Sequence, residues 1–105
     1  MDNEKYKIWG EELAENIIEK FGTQRILQVC LLANISIRYE KWNPVTLGEF
    51  DRKNNTIYIN LNANIDQTQI IAHEMGHYFI YQKGIKLNRN EEEMVVDFFS
   101  KLFSK

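Results

Sequence analysis

The sequence predicts an α+β fold of about four helices with a small three-stranded sheet. Three observations lead there. Two stretches before residue 34 repeat apolar residues at helical spacing, so the chain opens with helices. Between residues 35 and 60 the period falls to two and polar turns intervene, as in strands with one covered face. After residue 66 the helical period returns in two segments, and the first of these, a central helix, carries His73-Glu74-x-x-His77. At 105 residues the chain is expected to be a single domain, 1–105, with an N-terminal helix at about 2–21 and a core at about 23–103.

Composition narrows the function classes. With 44% hydrophobic and 27% charged residues this is an ordinary soluble chain. A net charge of -2 gives no reason to expect nucleic acid or an anionic membrane as partner. No apolar run suffices to span a bilayer, and the N-terminus lacks the charged-then-apolar pattern of a signal peptide. The single cysteine, Cys30, excludes an internal disulfide and agrees with a cytoplasmic location. Among Val29, Leu31 and Leu32 it reads as packing rather than as a nucleophile.

From Asp2 to Phe21, residues Tyr6, Trp9, Leu13, Ile17 and Phe21 share a face, with Lys5, Glu12, Glu15 and Glu19 off it, and Gly22 ends the helix. Thr23 is expected to cap a second helix through about Ala33, buried on most sides by its apolar content. Ile35, Ile37 and Tyr39 then alternate with Ser36, Arg38 and Glu40, giving a first strand. Asn43-Pro44 marks a turn, Thr46 to Phe50 a second short strand around Gly48. Residues 51–55 form a polar hairpin turn into a third strand, Thr56 to Asn60. Asp66, with Gln69 three residues on, resembles a capping box, so the histidine helix runs from about Gln67 to Lys83 and stops at Gly84. The last helix is expected to start after Asn90, capped by Asn90 with Glu93, and to run through Leu102.

Both histidines of the chain fall in one five-residue unit. Residues four apart lie on the same helix face, so His73 and His77 can aim two imidazole nitrogens at one metal ion, while Glu74 is placed to take a proton from water activated there. The alternative is a pair of core histidines bonded to backbone. Gly76 weakens the helix by about 1 kcal/mol relative to alanine, which a close approach of another element would explain. Catalytic zinc takes three protein ligands and keeps a fourth place open. Glu91, Glu92, Glu93 and Asp97 are the candidates for the third; first-turn acids also favour a helix dipole, so most read as solvated. Glu93 and Asp97 share a face, where one carboxylate can bind metal and the other orient a histidine.

The stretch Ile71-Ala72-His73-Glu74-Met75-Gly76-His77-Tyr78, with Gly48-Glu49-Phe50 and Ile57-Tyr58-Ile59-Asn60 before it and Glu93-x-x-x-Asp97-x-Phe99-Ser100 after it, resembles the ImmA/IrrE family of zinc metallopeptidases over about residues 25–103. The resemblance implies a zincin-like domain, with His73, His77 and Glu93 as zinc ligands, Glu74 as general base and Asp97 orienting a ligand. It implies a protein substrate, a helix-turn-helix repressor in many members. The chain departs from the family in ending two residues after Phe103, so part of the substrate cleft is expected to be missing. The expected activity is zinc-dependent peptide hydrolysis, with substrate extended along the edge of the Thr56–Asn60 strand and a tyrosine such as Tyr58 or Tyr81 near the oxyanion. The alternative is a non-catalytic zinc-containing module that sequesters a regulatory partner.

Overall fold

The computed structural model describes residues 3–104. In chain order its elements are α1 (Glu4–Phe21), α2 (Ile26–Leu32), β1 (Ser36–Glu40), β2 (Gly48–Asp51), β3 (Thr56–Asn60), α3 (Gln67–Lys83) and α4 (Arg89–Ser100). Four helices and a three-stranded sheet make this an α+β fold, as the change of period predicts. No helix among the described residues is long and apolar enough to cross a membrane.

The sheet order is β1-β3-β2, with β1 parallel and β2 antiparallel to β3. β3 is therefore central, which explains why Ile57 and Ile59 are fully buried while Tyr39 on the β1 edge is half exposed. Both edges of β3 are occupied, so a substrate cannot extend along it as the sequence suggested; the outer edges of β1 and β2 remain, and β2 is the one of these two strands that packs against α3. Asn60, buried at the end of β3, accepts the Trp42 and Asn62 N–H groups and donates to the Asn43 and Thr46 carbonyls. One amide thus satisfies two loops and fixes how the chain enters β2.

Three helix starts differ from expectation. Asp2 lies outside the described residues, and α1 begins at Glu4. Thr23 does not cap α2: its hydroxyl accepts the Arg25 N–H, and the helix starts at Ile26. α2 is also not buried all round. Ile26, Val29 and Cys30 form its one inner face, while Leu27, Leu31 and Leu32 stand in solvent. Burial pushes the Cys30 thiol up to about 12, which leaves it inert. α4 starts at Arg89, with Asn88 rather than Asn90 as N-cap.

Other boundaries follow their local chemistry. Gly22 and Gly84 close α1 and α3 at φ 72° and 70°, the left-handed conformation glycine adopts without strain. The Asp66 carboxylate caps α3 through the Thr68 N–H. α4 packs most extensively against α1 and α3. At Gly10 a Cβ would lie 2.5 Å from the Val95 carbonyl oxygen, so α1 meets α4 backbone to backbone. At Gly76 it would meet Val96 and Phe99 at 3.0–3.1 Å, the close approach that the glycine within the motif implied.

Candidate metal centre

The core side of α3 is set by Ile71, Ala72, Met75, Phe79 and Ile80, all almost fully buried. His73 and His77 lie one turn apart, half-buried, and turn toward α4. Their Nε2 atoms are 3.3 Å apart. The Glu93 carboxylate closes the set, at 3.2 Å from His73 Nε2 and 3.0 Å from His77 Nε2. One ligand atom from each of the three residues falls within 4.8 Å of the others.

The outer nitrogens are also engaged. His77 Nδ1 is 2.5 Å from Glu92 Oε2, and His73 Nδ1 is 3.6 Å from Asp97 Oδ1. The Glu92 carboxylate bonded to His77 Nδ1 selects the tautomer that carries its proton there, leaving the Nε2 lone pair aimed at Glu93, while Asp97 stands beside His73 Nδ1 beyond hydrogen-bond distance. Two lone pairs and an anionic carboxylate then converge on one point, an arrangement that a divalent cation compensates. The donor set, two imidazoles and a carboxylate, suits such an ion. These residues fit a metal.

Why Glu93 is free for this follows from the helix start. Asn88 accepts the Glu91 N–H and donates its own N–H to Glu91 Oε1, so Glu91, not Glu93, completes the capping box. Tyr6 donates to the other Glu91 oxygen at 2.9 Å, and these bonds hold its carboxyl below the usual range. The three consecutive glutamates divide the work: Glu91 caps, Glu92 orients His77, Glu93 faces both histidines. The sequence reading held Glu92 only as one candidate for the third ligand, among acids mostly read as solvated; its contact with His77 Nδ1 escaped it. The signal that finds it is the need of each liganding imidazole for an acceptor at its second nitrogen.

Glu74 sits beside the centre without a hydrogen bond or ion pair among the described residues. Burial above all pushes its carboxyl up; His77 opposes this, and Glu93 and Glu49 add to it. It borders two cavities.

No family model matches the chain. The chain is similar to Metallopeptidase ImmA of Bacillus subtilis (strain 168), with 28% identity over 71 residues. That match covers 66% of this chain and 42% of the relative, so the chain spans less than half of the relative's length. The relationship is distant.

The two cavities lie on either side of Glu74. The smaller, about 260 Å³, is bordered by Phe50, Arg52, His77, Tyr78 and Glu92, and the larger, about 570 Å³, by Leu47, Ile70, His73 and Asp97. β2 runs along both. Leu47 accepts the Asn60 N–H, and Glu49 stands opposite Tyr58. By the alternation of an antiparallel ladder, the backbone groups of Gly48 and Phe50 therefore point to the unpaired edge. Neither Tyr58 nor Tyr81 borders these cavities: Tyr58 packs against Trp42, and Tyr81 lies 4.2 Å under the Arg52 guanidinium. Tyr78 does border the smaller cavity, its ring 4.7 Å from that of Phe50.

Proposed function

We propose that the protein is a zinc-dependent peptidase that hydrolyses a peptide bond in a protein substrate, with a helix-turn-helix repressor as the substrate class the family resemblance points to. The observation that carries this reading is an uncommitted, half-buried Glu74 beside the convergent Nε2 atoms of His73 and His77 and the Glu93 carboxylate. A purely structural metal site has no use for that fourth group. The name of the Bacillus relative, a metallopeptidase, supports the same reading.

His73, His77 and Glu93 would hold the ion, which supplies Lewis-acid chemistry, acidifying water to a pKa of about 7 and polarising a carbonyl. Glu92 and Asp97 keep the two imidazoles in the liganding orientation. Glu74 takes the proton of the attacking water and returns it to the leaving amine, a role served by a carboxyl whose proton affinity burial has raised. Gly48 and Phe50 offer backbone groups to an extended substrate, which needs little sequence to bind there. The exposed Leu27, Leu31 and Leu32 of α2 favour a second reading, a non-catalytic module that holds a regulatory protein through an apolar face.

One experiment separates the two. Metal content is measured for wild type, His77→Ala, Glu93→Ala and Glu74→Gln, together with cleavage of an unfolded protein substrate. The expected result is about one equivalent of zinc in wild type and Glu74→Gln, loss in the other two, and hydrolysis reduced about 100-fold or more by Glu74→Gln. Full hydrolysis by zinc-loaded Glu74→Gln overturns the role given to Glu74; no hydrolysis by zinc-loaded wild type favours the binding module.

A further inference from the structure

We propose that the groove between α1 and the turn joining α3 to α4 is a binding site for a small amphipathic anion, a medium-chain alkyl or aryl carboxylate. The site is separate from the metal centre: no residue that borders it borders either cavity beside Glu74. The inference goes beyond the peptidase reading and does not depend on it.

The apolar part of the groove follows from how α1 packs and how α3 stops. Trp9 lies on the face that α1 turns inward, yet while Leu13 and Ile17 of that face are buried, Trp9 keeps 44% of its surface exposed. Something is left uncovered beside it. The left-handed turn at Gly84 brings the chain back against α3: the Ile85 N–H donates to the Ile80 carbonyl at 3.2 Å, and Ile85 stays 44% exposed. Trp9 and Ile85 are thus two walls of one groove. Its floor is made by Leu13, Ile80 and Val95, one buried residue each from α1, α3 and α4. The space measures about 340 Å³. Small-ligand sites run from about 300 to 1,000 Å³ and combine a mostly apolar lining with a few placed polar groups, which is the make-up found here.

The rim decides the charge of the occupant. Lys83, in the last turn of α3, and Lys86, just past Gly84, both border the groove, and neither makes an ion pair among the described residues. Glu12 is the one acid against them, and Asn16 is neutral. An occupant without charge leaves both ammonium groups unpaired, and a cation meets them as like charges. A carboxylate pairs with them, and the long lysine stems let both follow it. Its apolar body then covers the exposed faces of Trp9 and Ile85, taking that surface out of water. An extended peptide fits the place less well, because helices and a turn border the groove and no strand edge is there to pair with it.

Trp9 reports on the site directly. The chain's other tryptophan, Trp42, packs against Tyr58 beside the sheet, so in Trp42→Phe the indole fluorescence comes from Trp9 alone. Metal-free Trp42→Phe protein is titrated with octanoate, octylamine and acetate. The expected result is a saturable change in Trp9 emission with octanoate, with octylamine about tenfold weaker or more, since the same body then carries the opposite head. Acetate, which keeps the head and lacks the body, should also be at least about tenfold weaker. Adding Lys83→Gln and Lys86→Gln should bring octanoate and octylamine within about threefold of each other, because both lysines are exposed and their loss leaves the apolar lining in place. Calorimetry on metal-free wild type and His77→Ala should give the same octanoate affinity. No saturation with octanoate, equal binding of octanoate and octylamine, or a preference that survives loss of both lysines overturns the proposal. Loss of octanoate binding in His77→Ala would move the ligand to the metal centre and overturn it as well, while leaving the peptidase reading untouched.

Discussion

Glu74 is held in a place where its charge is unwelcome. Burial raises its proton affinity, His77 offsets part of this, and Glu93 and Glu49 add repulsion. A carboxyl whose folded pKa lies above its unfolded value penalises the fold as pH rises past the ordinary carboxylate range, and not below it, where the group is protonated in both states. Metal-free Glu74→Gln is therefore expected to melt higher than wild type at neutral pH, with the gain vanishing below about pH 4. Thermal melts of the two proteins across pH check this; equal midpoints at neutral pH would contradict it. At this scale His73, Glu74 and His77 were legible because the i, i+4 relation fixes their faces from sequence alone. The separate tasks of Glu91, Glu92 and Glu93 were not. Each residue turns a helix by about 100°, so reading the cap at Asn90 rather than Asn88 reassigns every glutamate in the first turn.

At the scale of elements, local signals located α1, β3 and α3, whose ends are marked by Gly22, the polar hairpin, Asp66 and Gly84. What local signals lack is the partner. α2 is apolar except for Gln28, yet only Ile26, Val29 and Cys30 are buried, and no periodicity distinguishes a leucine that will be covered from one that will not. Strand order is equally remote from local pattern, which is why β3 was read as an edge when its two flanks are filled by β1 and β2. The start of α4 can be tested directly. Asn88→Ala removes the cap and should lower stability by about 1 kcal/mol, whereas Asn90→Ala, on the first turn and outside the cap, should change it by less than about 0.5 kcal/mol. Urea unfolding of the two variants decides between the cap positions, and the reverse ranking would refute the placement of Glu93.

For the molecule as a whole, the centre joins two helices that otherwise meet through Gly76, Val96 and Phe99. An ion bound by the folded state and not by the unfolded chain stabilises it by mass action, about 2.7 kcal/mol at a free concentration 100 times its dissociation constant. Thermal unfolding with added zinc and with a chelator is expected to differ accordingly, and the difference should be absent in Glu93→Ala. An unchanged midpoint in wild type would mean that His73 and His77 meet without a metal.

The backbone contact at Gly10 ties the last described helix to the first. On the ribosome, the two histidines of α3 emerge before Glu93, and α1 emerges before the three other helices, the last of which, α4, is the one against which it packs most extensively. His73, His77 and Glu93 can therefore come together only once α4 has followed α3. A nascent chain of this sequence holds the three groups apart until α4 closes on α3.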